Sequence, residues 1–83
     1  MYYVYVLKDI NTGGLYIGRT SNLARRMCQH NSGKSKYTKR SLWKIVYIEG
    51  YADELDAKKR EHNLKQFGRV YSQLKRRILR SLS

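Results

Sequence analysis

The sequence predicts a small α/β or α+β domain whose elements follow the order β-β-α-β-α-α. The chain has 83 residues, and a chain of this length buries too little surface for two independent cores, so we expect residues 1–83 to form one domain. Its N-terminal part resembles two strands joined by a glycine-containing turn. Its C-terminal part repeats apolar residues at helical spacing. Together these patterns indicate a sheet covered by helices.

The first two strands are predicted at residues 2–7 and 15–18. Residues 2–7 are rich in aromatic and β-branched side chains and are apolar on both alternating faces, which is typical of a central strand covered on two sides. Residues 11–14 read Asn-Thr-Gly-Gly, and Asn and Gly tolerate the positive φ angles of tight turns. We therefore expect an antiparallel hairpin at the start of the chain.

A first helix is expected over residues 22–30, because Ser21 or Asn22 can cap it and apolar residues then recur at helical spacing. Residues 31–41 contain lysines and turn formers and are expected to form a flexible basic loop. We expect this loop to contact phosphates. Its side chains assigned to nucleic acid are Lys34, Lys36, Tyr37, Lys39 and Arg40.

A third strand is predicted at residues 43–48, and Glu49 with Gly50 is expected to end it. A second helix is expected at residues 52–67, because carboxylates in its first turns and a lysine near its end complement the helix dipole. A basic third helix at residues 70–82 has one apolar face that we expect to pack on the sheet. The residues of that face are Tyr71, Leu74, Ile78 and Leu82.

The charge of the chain indicates a polyanionic partner. Its 18 Lys and Arg residues against 6 Asp and Glu residues give a formal net charge of +12, which attracts polyanions strongly. Nucleic acid is the leading partner and an anionic membrane surface is the rival. Membrane binding usually requires an amphipathic helix or a lipid anchor, and only the C-terminal stretch resembles one. We therefore expect no membrane partner.

The single cysteine, Cys28, excludes an internal disulfide and a thiolate zinc cage. We expect it to be a small apolar filler in a reducing compartment. The apolar N-terminal residues have no basic region before them, and no apolar run reaches membrane-spanning length. A cytoplasmic protein is expected.

The acidic residues favour a site with one metal ion. Two-metal nucleases require several converging carboxylates, whereas most of the acidic residues here lie at the ends of predicted elements. One carboxylate is enough to anchor Mg²⁺, which keeps waters and accepts few protein ligands. Glu61 is the best candidate because it lies near the inward face of the second helix. A surface pair with Lys65 or Lys58 explains Glu61 equally well from sequence alone.

The first helix and the tyrosines supply further candidates. Arg26 and His30 are four residues apart and share one edge of the helix. An arginine there can bind a non-bridging phosphate oxygen, although a solvated arginine is the commoner outcome. Composition singles out none of the eight tyrosines; most are expected in the core. A tyrosine could accept a proton if positive neighbours lowered its pKa.

Four pieces of sequence occur in a diagnostic order. They are Tyr3-Val4-Tyr5, Tyr16-Ile17-Gly18, Arg26 on the first helix and Glu61 on the second. This ordered set resembles the GIY-YIG nuclease superfamily, with Tyr3 at the position of the glycine that names the first motif. The resemblance covers a motif core of about residues 2–68, and the compact form is similar to the small stand-alone bacterial members.

The resemblance implies a small three-stranded antiparallel sheet flanked by helices, and an endonuclease that depends on Mg²⁺ or Mn²⁺. Tyr5 and Tyr16 would face the site, one of them activating the attacking water or acting as nucleophile. Arg26 would stabilise charge on the phosphate, and Glu61 would hold the metal ion. The residues flanking the phosphate would be Arg19 and His30.

Two functions compete at this point. The first is an endonuclease that cuts DNA and tolerates varied structures or prefers single strands and branches, acting in repair, recombination or mobile-element processing. Its substrate choice would come from the basic loop, base-stacking tyrosines and the C-terminal helix; RNA is also compatible. Sequence-specific cutting would require dimerisation or a partner, and we expect a monomer or weak dimer. The second is a non-catalytic, basic nucleic-acid-binding module.

Overall fold

The computed structural model describes residues 1–32 and 42–83. Across these ranges the chain forms three strands and three helices in the expected order, which confirms the α+β fold. The elements are β1 (Tyr2–Asp9), β2 (Leu15–Thr20), α1 (Leu23–Asn31), β3 (Trp43–Tyr51), α2 (Glu54–Gln66) and α3 (Gly68–Arg77). The side chains assigned to phosphate contact lie outside the described residues: Lys34, Lys36, Tyr37, Lys39 and Arg40.

Strand β1 is the centre of an antiparallel sheet with the order β2-β1-β3. The predicted hairpin and the antiparallel pairing are therefore confirmed. At the hairpin turn, the Asp9 carboxylate accepts the backbone N–H of Asn11 at 2.9 Å, and Gly13 adopts a φ of 77° that a residue without Cβ tolerates. Val4 and Val6 on one face of β1 and Tyr5 and Leu7 on the other are all buried, as expected for a strand covered on both sides.

The hydrophobic core lies between one face of the sheet and the helices α2 and α3. Val4 and Val6 belong to one buried cluster with Ala57 and Leu64 of α2. Helix α3 packs against α2, and its Tyr71 and Leu74 complete the cluster together with Ile78 and Leu82 from the turns that follow it. Removing this apolar surface from water is the main force that holds the helices on the sheet.

Strand β3 is longer than the sequence indicates. It continues through Glu49 and Gly50 to Tyr51, whereas the sequence pattern predicts its end at those two residues. The extension is stabilised by pairing with the first residues of β1, since Tyr51 lies opposite Tyr2 and Gly50 lies opposite Tyr3. Tertiary pairing thus overrides the low strand preference of Glu and Gly.

The helix boundaries also shift. Asn22 caps α1 by accepting the Arg25 N–H at 3.0 Å, and the helix extends to Asn31, where the loop is predicted to begin. Helix α2 starts two residues later than predicted because Asp53 is its N-cap. Helix α3 begins at Gly68 and ends at Arg77, and residues 78–82 continue as turns.

One burial prediction is wrong. Cys28 is exposed rather than a core filler, because it lies two residues before the buried His30 and therefore projects from the other side of α1. Among the described residues, no helix has both the length and the apolar character needed to cross a bilayer.

Candidate active site

The hairpin brings the two tyrosine motifs into contact. Tyr5 of β1 lies directly opposite Gly18 of β2, and its side chain is only 1% exposed. A Cβ atom at Gly18 would lie 2.3 Å from the hydroxyl oxygen of Tyr5 and 2.4 Å from its Cζ. The absence of a side chain at Gly18 therefore creates the space that the Tyr5 ring occupies.

Helix α1 supplies two side chains to the Tyr5 hydroxyl group. The hydroxyl oxygen lies 2.9 Å from Nε2 of His30, and Nε of Arg26 donates to it at 3.4 Å. The guanidinium is also held by Gln29, because Nη1 of Arg26 donates to the side-chain oxygen Oε1 of Gln29 at 2.9 Å. The predicted shared edge of Arg26 and His30 is therefore the edge that faces Tyr5.

Burial determines the protonation states of this group. Burial raises the pKa of Tyr5 although the Arg26 hydrogen bond opposes the rise, and burial followed by the Arg26 charge lowers the pKa of His30. Tyr5 is thus a neutral phenol and His30 a neutral imidazole at pH 7. Because Arg26 donates to the Tyr5 oxygen, the phenolic proton is free to be donated to Nε2 of His30. Positive neighbours therefore do not lower the pKa of Tyr5, because burial outweighs the Arg26 hydrogen bond.

Tyr16 of β2 completes an aromatic cluster beside this network. Its ring centroid lies 6.4 Å from that of Tyr5, 5.0 Å from that of His30 and 6.2 Å from that of Trp43. The pKa of Arg26 is raised by its hydrogen bond to Tyr5, with burial opposing this and a hydrogen bond to Tyr16 adding to it. One guanidinium therefore interacts with both motif tyrosines.

The carboxylate of Glu61 on α2 contacts two cationic side chains. Its Oε1 accepts from Nε of Arg19 at 3.3 Å, and its Oε2 accepts from Nζ of Lys65 at 3.2 Å. Lys65 Nζ also lies 6.0 Å from the centroid of the Tyr16 ring. The negative charge of Glu61 contributes to the raised pKa of Tyr5, after burial and other causes. Glu61 thus lies close enough to act electrostatically on the tyrosine network.

The structure brings six predicted site residues into one region. They are linked by the contacts just described: Tyr5, Tyr16, Arg19, Arg26, His30 and Glu61. Arg19 differs from expectation in its contacts, because it pairs with Glu61 and, at 3.5 Å, with Glu54. We interpret Arg19 as a residue that positions the carboxylate as well as a positive charge beside the site.

The donor atoms at Glu61 fit Mg²⁺ or Mn²⁺ bound by a single protein carboxylate. The Glu61 side chain is 19% exposed, so a hydrated ion can reach it. Within residues 1–32 and 42–83, no three His, Cys, Asp or Glu side chains cluster as a metal cage. Mg²⁺ is commonly bound by one or two carboxylates with waters and substrate phosphates completing its shell. An ion at Glu61 would compete with Arg19 and Lys65 for the carboxylate oxygens.

A second half-buried carboxylate, that of Glu49, fixes the helix that carries Glu61. Glu49 accepts hydrogen bonds from Tyr47 at 2.7 Å, from Tyr51, and from Arg60 Nη2 at 2.9 Å. Burial raises the pKa of Glu49, but the hydrogen bonds from Arg60 and the two tyrosines outweigh it, so the pKa lies below its usual value. Arg60 immediately precedes Glu61, so this cluster anchors α2 to β3 at the site.

Sequence reasoning did not select Lys65, Trp43 or the Glu49–Arg60 pair as site residues. The i to i+4 spacing of Glu61 and Lys65 is visible in the sequence, but it is also the spacing of an ordinary surface pair. Trp43 reaches Tyr16 because Asn31, at the end of α1, accepts the Trp43 N–H at 2.8 Å and donates to its carbonyl oxygen at 3.2 Å. No local sequence signal predicts that long-range connection.

Comparison with known proteins identifies a family and several relatives that match most of this chain. The family model described as the GIY-YIG catalytic domain matches residues 1–77. A UPF0213 protein of Streptococcus pneumoniae serotype 4 is 42% identical over 66 residues, covering 77% of this chain and 66% of that protein. The match thus spans slightly less than two thirds of the streptococcal protein.

Two further relatives are covered over more of their length. A UPF0213 protein of Staphylococcus haemolyticus is 40% identical over 70 residues, which cover 82% of this chain and 84% of that protein. A UPF0213 protein of Clostridium perfringens is 41% identical over 71 residues, which cover 83% of this chain and 75% of that protein. No solved structure gives a significant match.

Proposed function

Because this chain belongs to the GIY-YIG nuclease family, we propose that it is a metal-dependent endonuclease that hydrolyses phosphodiester bonds of DNA at the site around Tyr5. The observation that carries the proposal is the hydrogen-bonded series Arg26–Tyr5–His30 beside Tyr16 and Glu61. A neutral phenol, a neutral imidazole and a guanidinium that meet at one oxygen atom suit proton transfer next to a phosphate.

Tyr5 is the proposed proton acceptor for the attacking water. As the water oxygen bonds to phosphorus, its proton passes to the Tyr5 oxygen while the phenolic proton passes to Nε2 of His30. This exchange avoids a free phenolate, whose formation the raised pKa of Tyr5 opposes. The bond from phosphorus to the leaving deoxyribose oxygen breaks, and that oxygen takes a proton from solvent. His30 then returns its proton to solvent to restore the resting state.

The cationic side chains stabilise the charge that develops on the phosphate. Arg26 is placed to donate from its guanidinium to a non-bridging oxygen while it keeps its contact with Tyr5. A divalent cation bound to Glu61 would supply further positive charge to the phosphate and the leaving oxygen. Arg19 and Lys65 hold the Glu61 carboxylate in place from two sides.

The proposed substrate is single-stranded or branched DNA, as an intermediate of repair, recombination or mobile-element processing. The net charge of +12 supports tight, salt-sensitive binding to phosphates. We propose that Lys34, Lys36, Lys39 and Arg40, together with Tyr37, also bind the DNA. A domain this small has little surface for reading base sequence, so we propose that it acts as a monomer or weak dimer that selects DNA by structure.

Cleavage of labelled DNA by purified protein tests the proposal. With Mg²⁺ or Mn²⁺ the protein should nick single-stranded or branched oligonucleotides, and Tyr5→Phe and Glu61→Ala should abolish nicking without loss of DNA binding. Tyr3→Phe and Asp56→Asn are matched controls, because they alter the same strand and the same helix away from the contacts described above. Variants of Tyr5 and Glu61 that cleave like wild type would refute the site. DNA binding without cleavage in either metal would favour a non-catalytic binding module.

A further inference from the structure

A groove opens beside Tyr16 between strand β2 and the helices α2 and α3. Its volume is about 290 Å³ and its lining residues are Leu15, Tyr16, Ile17, Leu64, Lys65 and Tyr71. Most of this lining is apolar or aromatic, which is unusual on the surface of so basic a chain. The groove reaches the candidate site directly, because Lys65 contacts both the Glu61 carboxylate and the Tyr16 ring.

The groove contains two aromatic rings and the cation Lys65, and a second cation, Lys75, lies over the Tyr71 ring beside it. Tyr16 and Tyr71 are both half-buried, so part of each ring remains accessible from the groove. Lys65 Nζ lies 6.0 Å from the centroid of the Tyr16 ring, and Lys75 Nζ lies 4.7 Å from that of Tyr71. Aromatic side chains next to positive charges are the arrangement with which proteins hold unpaired bases and their phosphates.

We infer that this groove binds one unpaired nucleobase of the DNA strand, adjacent to the phosphate that is cut. A base is flat and largely apolar and so suits the Tyr16 and Tyr71 rings, while the backbone phosphates flanking it match the charges of Lys65 in the groove and Lys75 beside it. A base within a duplex is already stacked and paired, so the groove selects nucleotides that are single-stranded or frayed. The position next to the cut phosphate rests on the proposed nuclease function; the binding of a base does not.

The affinity for a short single-stranded oligonucleotide, measured by fluorescence anisotropy in EDTA, tests base binding apart from cleavage. Tyr71→Leu retains apolar bulk but removes the ring, and it should weaken binding roughly 5- to 100-fold, the range for loss of one stacked base. Tyr71→Phe retains the ring and should bind like wild type. Thermal unfolding of both variants checks that the fold is intact. Equal affinity of the Leu variant and wild type would overturn the inference.

An abasic scan identifies the bound nucleotide. Removing one base at a time from the oligonucleotide should weaken wild-type binding at one position by a factor similar to that of Tyr71→Leu. The same abasic substitution should have a clearly smaller effect in Tyr71→Leu than in wild type, because the contact between the base and the Tyr71 ring is already lost. An abasic effect of unchanged size in the variant, or none at any position in wild type, would overturn the inference.

Two further outcomes of these experiments also decide whether the groove binds a base. Should Tyr71→Leu fail to fold, fluorescence of 2-aminopurine at the scanned positions of the wild-type complex decides: quenching at one position supports stacking, and no quenching at any position overturns it. Should wild type bind the base but cleave no DNA with either metal, the proposed nuclease function fails while the base-binding groove stands.

Discussion

Substitution of Gly18 by alanine tests the position assigned to the Tyr5 ring, which packs directly against Gly18. The new Cβ would lie 2.3 Å from the Tyr5 hydroxyl oxygen, whereas ordinary contact begins at 3.4 Å, so the ring must shift by about 1 Å. That shift breaks the 2.9 Å contact with His30. Displacement of a reacting group by about 1 Å can cost roughly 100-fold in rate, and overpacking costs about 1–3 kcal/mol of stability. We expect losses of this size in single-turnover cleavage and in urea unfolding.

Two comparisons isolate the cause. Gly68→Ala is the matched control because no atom lies within 4 Å of its added Cβ, and it should retain cleavage and full stability. In a Tyr5→Ala background, Gly18→Ala should cost much less stability than in wild type, since the clashing ring is gone. Wild-type cleavage and stability in Gly18→Ala would refute the assigned position of Tyr5.

Three further predictions concern the charges around the site. Arg26→Lys should bind DNA but cleave it roughly 10- to 100-fold more slowly, because an ammonium group cannot contact Tyr5 and a phosphate oxygen in the same forked geometry. Single-turnover cleavage rates at saturating protein measure the difference. Cleavage should be constant near pH 7 and fall only as the pH drops through the pKa of His30, which burial holds below its ordinary value, because a protonated His30 can no longer accept a proton. A rate constant that rises on acidification would contradict the proton transfer. Glu49 has a lowered pKa in the folded protein, so its stabilising effect is present above its unfolded pKa of about 4.3 and is lost as the pH falls through the folded value. Glu49→Gln should lower the free energy of unfolding by about 1–3 kcal/mol at pH 7. In urea unfolding, this variant should lose less additional stability in acid than wild type does.

The sequence predicts the local elements well because their signals are local. The hairpin of β1 and β2, the cap at Asn22 and the apolar face of α3 all depend on residues within a few positions of each other. The end of β3 at Tyr51 is missed because Glu49 has a low strand preference. Its charge is compensated by Arg60, eleven residues away on α2, and no strand pattern contains that information.

The candidate site is predictable in part. Spacing alone places Arg26 and His30 on one edge of α1 and makes Glu61 the best carboxylate candidate, and the resemblance adds the tyrosines. The sequence does not reveal the raised pKa of Tyr5, because it results from burial, which depends on the packing of α1 against the sheet and outweighs the Arg26 hydrogen bond. The Arg19–Glu61 contact is missed because it joins residues 42 positions apart.

The most direct test is to locate Mn²⁺ and an uncleavable DNA strand in crystals of the protein by anomalous scattering. We expect the ion at the Glu61 carboxylate and a phosphate between the ion and the Tyr5 hydroxyl group. The Arg26 guanidinium should contact a non-bridging oxygen of that phosphate. An ion bound away from Glu61, or a phosphate backbone that crosses a surface remote from Tyr5 and Arg26, would contradict the proposed site.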